Sequence, residues 1–106
     1  MRLEQTILKN LMYNEEFTRK VIPFIKPEYF SDPAEKLVFK EVFDFVNKYK
    51  NLPTYESLVI NFTEKKTLTD AQVKDSIELL NDIQSTKDDK VENQWLLEQT
   101  EKFCQD

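Results

Sequence analysis

The stretch from Pro33 to Tyr49 carries apolar side chains on more than one helical stripe, and this sets the architecture. Val38, Val42, Val46 and Tyr49 recur at close to helical spacing, flanked by Leu37, Phe39, Phe43 and Phe45. A helix with so wide an apolar face has to be covered on more than one side, which places it at the centre of a helical assembly. Its start is equally well marked. Asp32 supplies an N-cap, Pro33 takes the first helical position, and Glu35 stands where a capping box needs it.

Five further helical segments surround this one, and no convincing strand is present. Leu3, Ile7, Leu8, Leu11 and Met12 make a first amphipathic helix. Asn14 caps a second, with Glu15 and Glu16 in its first turn and Phe17, Val21, Phe24 and Ile25 facing inward. Pro23 ends or kinks it. After the polar run NKYKN and Leu52-Pro53, Thr54 caps a short fourth helix bearing Leu58, Val59 and Phe62. TEKKTLT reads as a solvated linker. Thr69 and Gln72 form a capping box opening a fifth helix with Val73, Ile77, Leu80 and Ile83. Asp89 with Glu92 forms another, ahead of a sixth helix with Trp95, Leu96, Leu97, Phe103 and Cys104. The fold class expected is all-α, a compact bundle of about six helices. The division expected is a globular bundle over 1–84, a hinge over the polar STKDDK at 85–90, and a separate last helix over 91–106. That helix reaches Asp106 without a C-cap signal, as though cut from something longer.

Composition narrows the chemistry. The 106 residues suit one domain. Glycine is absent, which excludes the glycine-rich phosphate loops of P-loop and dinucleotide-binding proteins. Histidine is absent too, removing the commonest general base and metal ligand. Cys104 is the one cysteine; it has no internal disulfide partner and no histidine to activate it. The expectation is a binding domain, with no catalytic residue, no cofactor and no metal. Net charge is −5, with 15 basic residues interleaved among 20 acidic ones, so direct nucleic-acid binding is not expected. No apolar run approaches membrane-spanning length and the N-terminus lacks a signal-peptide core, which suggests a cytoplasmic protein.

The order of segments resembles the N-terminal domain of DnaB-type replicative helicases, in the version of the T-even-like tailed phages. LEQTILKNLMYNEEFTRKVIPFI is similar to the family's first two helices. EYFSDPAEKLVF resembles its junction into the long third helix, with Phe30 and Phe39 in the expected places. NLPTYESL looks like its proline-containing turn, and WLLEQTEKFCQD like the start of a dimerising helical hairpin. One departure stands out: cellular members often carry His or Arg where this chain has Pro33, Glu35 and Lys36, which puts partner contacts made by those basic residues in doubt here. The resemblance implies a collar, in which such domains pair through the hairpin above the ATPase ring and dock primase. ATP and magnesium would be needed only in a downstream domain, and the setting would be the host cytoplasm. A helicase-binding domain of a primase, or a free-standing helicase-binding adaptor or inhibitor, would share many of these patterns.

Four residues are candidates for a protein interface. Trp95, Leu96 and Phe103 would form a subunit-pairing face on the last helix, since large aromatics anchor interfaces. The competing assignment is core, and it is favoured for Leu96. Tyr29 is a candidate for primase docking; the competing assignment, that Tyr29 and Phe30 plug the end of the bundle, is favoured for this pair, with Phe30 the more buried. Glu15-Glu16 and Asp88-Asp89 fit helix N-termini better than catalysis, and Arg19, Lys20 and Lys26 fit a solvated face.

Overall fold

A computed structural model describes residues 2–105, which form six α-helices and contain no strand. In chain order these are α1 (Leu3–Tyr13), α2 (Glu15–Val21), α3 (Pro33–Tyr49), α4 (Tyr55–Glu64), α5 (Asp70–Ser85) and α6 (Asn93–Gln105). A single 3-10 turn, Pro27–Tyr29, precedes α3. Met1 and Asp106, the last residue of the expected hairpin arm, lie outside the described residues.

Local chemistry accounts for most helix starts. The Asn14 side chain accepts from Phe17 N at 3.2 Å and opens α2. Asp32 accepts from Ala34 N at 2.8 Å and from Glu35 N at 3.2 Å. Thr69 and Gln72 close their box in both directions, as do Thr54 and Ser57. Two expected boxes are corrected. Glu35 does not reach back to the Asp32 amide; its carboxylate is drawn inside toward Arg2, 3.3 Å away. The last helix is capped by Glu92, whose carboxylate accepts from Trp95 N at 2.8 Å, and not by Asp89. With no glycine available, α3 ends on Lys50 in the left-handed region at φ 58°, ψ 26°.

Helix α3 is the centre of the molecule. It packs on α5, α1 and α4 and on the 3-10 turn, while α4 closes against α5 and α2 joins α1 to α6. Val38, Phe39 and Val42 have no exposed surface and meet Ile7, Leu8 and Leu11 of α1, Leu58 and Phe62 of α4, and Leu80 and Ile83 of α5 in one core. Phe30 stacks on Phe39 with ring centroids 5.2 Å apart, and Phe39 leads on to Phe43 at 5.6 Å. Polar groups inside are mostly satisfied: Thr18 donates to the Asn14 carbonyl at 2.9 Å, and Glu41 pairs with Lys65 at 3.0 Å.

Two aromatics expected inside are outside. Helix α2 stops at Val21, so Phe24 falls in the turn that follows and the helical register no longer turns it inward. Ile25 takes the buried place instead, its amide bonded to Val21 O at 3.0 Å. Tyr49 lies at the end of α3, beyond the elements that cover its middle, and is 52% exposed. Its ring leans on Phe45 at 4.6 Å, with the Lys48 ammonium 5.2 Å from its centroid.

Candidate protein-interaction surface

Helix α6 holds three of the four interface candidates, and its attachment decides what they can do. Two long-range polar contacts fix its start. The Lys9 ammonium, on a side chain almost wholly buried in α1, donates to the Asp89 carbonyl at 2.9 Å. The Asn14 amide donates to the Asn93 side chain at 2.9 Å. Along the helix, Leu96 and Thr100 are fully buried, and the Thr100 hydroxyl donates back to Leu96 O at 2.7 Å. Leu97, Phe103 and Cys104 are half-buried against the same core.

Leu96 is therefore a core residue in this arrangement, with no surface to offer a partner. The STKDDK segment, expected as a hinge, is tied to α1 through Lys9, and α6 lies along the bundle. A radius of gyration of 13.0 Å fits a compact domain of this length rather than one with a projecting arm.

Phe103 is wedged edge-on to Phe30 at 5.1 Å and to Tyr29 at 6.4 Å. Tyr29 and Phe103 thus come together, half-exposed, at one end of α6. Trp95 stands apart. It is eight residues from Phe103, about 12 Å along the axis at the helical rise. Its ring is 46% exposed. The sequence-derived candidates accordingly resolve into a core residue, an aromatic pair and a lone exposed tryptophan.

Ile60, 53% exposed, is a surface apolar residue missed by pattern reading, although its offset from the Leu58–Phe62 stripe signals it. The basic residues of α2 are paired within their own helix, Arg19 with Glu15 at 2.6 Å and Lys20 with Glu16 at 3.2 Å. Burial pushes the Cys104 thiol up to about 11, so it is protonated near neutrality. Among the described residues no group of three or more Cys, Asp or Glu side chains is placed to hold a metal ion, and no helix is long and apolar enough to cross a membrane.

A family model for the DnaB-like helicase N terminal domain matches residues 1–93. The chain belongs to that family. The six-helix, strand-free fold agrees with the all-α architecture expected of such a domain. The chain is also similar to a DnaB-like replicative helicase of Enterobacteria phage T4, 27% identical over 101 residues. That alignment covers 95% of this chain and 20% of the phage protein, so the chain spans about a fifth of the length of this curated relative. No solved structure matches the chain. The match to the DnaB-like domain ends where α6 begins, so the helix bearing Trp95 and Phe103 lies almost wholly outside the family's matched core.

Proposed function

We propose that this chain is the N-terminal collar domain of a phage-type replicative DNA helicase, serving subunit association in the helicase ring and coupling to primase during DNA replication. The observation that carries the reading is the DnaB-like match over residues 1–93 of a domain whose last helix exposes Trp95. In this reading the domain is non-catalytic and works mechanically. Its helices hold fixed faces toward neighbouring subunits and primase, while ATP hydrolysis with magnesium belongs to a separate domain of the helicase. Trp95 is the self-association anchor, because a large exposed ring at a helix start gains most by being covered. Tyr29, paired with Phe103, is the primase-facing candidate.

Sedimentation equilibrium of the wild-type chain and of Trp95→Ala tests the pairing role. The chain is expected to be a monomer in equilibrium with a weak dimer. The variant should be monomeric throughout, with its melting temperature nearly unchanged. An unaltered sedimentation profile with a lowered melting temperature would assign Trp95 to packing and remove it from the interface.

A further inference from the structure

The net charge of this protein is concentrated in one place. Where the N-terminal ends of α1 and α3 meet the outer face of α5, a groove of about 320 Å³ is lined by Asp32, Glu35, Asp75, Glu78, Asp82 and Arg2. Asp75, Glu78 and Asp82 fall on one helical stripe, and all three are exposed. Glu4 adjoins the groove through Arg2, 3.4 Å away. Six carboxylates against Arg2 and Lys74, whose ammonium stands 4.0 Å from Glu78, give this corner a formal −4 of the chain's −5, leaving the remaining surface nearly balanced.

The groove has a buried feature that an acidic helix face alone would lack. Glu35 is 1% exposed, and neither of its carboxylate oxygens accepts a hydrogen bond. Its counter-ion is Arg2, whose Nη1 stands 3.3 Å away while Nη2 is shared with Glu4. A buried carboxylate short of donors is costly, and burial holds its carboxyl above the usual carboxylate range. A second guanidinium would supply the missing paired N–H donors, a geometry that matches two carboxylate oxygens. A metal ion fits less well, since these carboxylates do not converge into a metal-holding group.

We propose that this groove is a docking site for an arginine-containing basic segment of a partner protein, one guanidinium approaching Glu35 and the flanking cations lying along Asp75, Glu78 and Asp82. The occupant is not a second copy of this chain. Its only arginines are Arg2, already in the groove, and Arg19, paired with Glu15, and its lysines are interleaved with acids along the chain. The inference stands on charge and burial and does not depend on the helicase reading.

The test uses a short fluorescein-labelled peptide of alternating arginine and serine, titrated with the chain at physiological ionic strength and followed by anisotropy. Asp75→Asn/Glu78→Gln/Asp82→Asn should weaken binding by about tenfold or more, as loss of facing charge partners does. The control Asp88→Asn/Glu98→Gln/Glu101→Gln changes net charge equally on a different face and should weaken it by less than about twofold. Glu35→Gln, checked for folding by circular dichroism, should weaken it separately, and amide shifts on peptide addition should centre on Ala34, Glu35 and the Asp75–Asp82 turns. Equal losses in the two triple variants would reduce the effect to bulk charge and overturn the proposal. So would undiminished binding by the groove triple, or amide shifts spread evenly over the surface.

Discussion

Leu96→Ala measures whether α6 is part of the folded domain in solution. The side chain has no exposed surface, so truncation removes about three methylene equivalents from a filled site. At about 0.8 kcal/mol each the transfer loss is roughly 2.4 kcal/mol, and an unrelaxed cavity raises leucine-to-alanine costs into the range of about 2–5 kcal/mol. In a domain near one hundred residues, that is a fall in melting temperature of about 10 °C or more. Urea unfolding followed by circular dichroism gives the free energy directly, and an unchanged slope would show that the same surface is exposed in both proteins. If α6 were a detached arm, Leu96 would already be in water and truncation would cost less than about 0.5 kcal/mol. That result would refute the docked arrangement and return Leu96 to the candidate interface.

Three further outcomes are expected. Lys50→Gly should stabilise the chain by about 0.5–1 kcal/mol in the same assay, because Lys50 holds a left-handed conformation that penalises a Cβ. Glu35 binds its proton more tightly in the folded state than its ordinary 4.5, since burial outweighs the opposing Arg2 charge. Its ionisation therefore costs stability, and the wild type should lose stability relative to Glu35→Gln as pH rises from about 4.5 through the raised value. The gap should be smallest below 4.5, and urea midpoints across that range will show it. The Cys104 thiol, pushed up to about 11, should react with iodoacetamide at pH 8 far more slowly in the folded chain than in urea; equal rates would contradict its burial.

The helix pattern was legible because its signals are local. The Thr69–Gln72 box needs only neighbours three residues apart, and it formed as read. The apolar run of α3 announced a central helix because amphipathicity is written in the chain itself. Readings failed where a distant residue competed. Glu35 has the right spacing for a capping box, but Arg2 lies near it in space and not in sequence. Asp89 looked like a cap until Lys9, eighty residues away, claimed its carbonyl and the helix began later. The interface candidates divided for the same reason. Nothing within the last helix tells Leu96 from Trp95, both large and apolar; the position of α2 and the core decides which is covered.

The Lys9–Asp89 and Asn14–Asn93 contacts join residues separated by 80 and 79 positions, so they clasp nearly the whole chain into a loop. Most other order in the molecule is helical and forms over short separations, which favours early and rapid assembly. Loop-closure entropy grows only slowly with length, about 0.6 kcal/mol per doubling, so a clasp this long is not thermodynamically extravagant. Its burden is kinetic. The last helix can seat only after α1 and α2 are in place to receive it, which makes α6 the element expected to close last in folding and to leave first in unfolding.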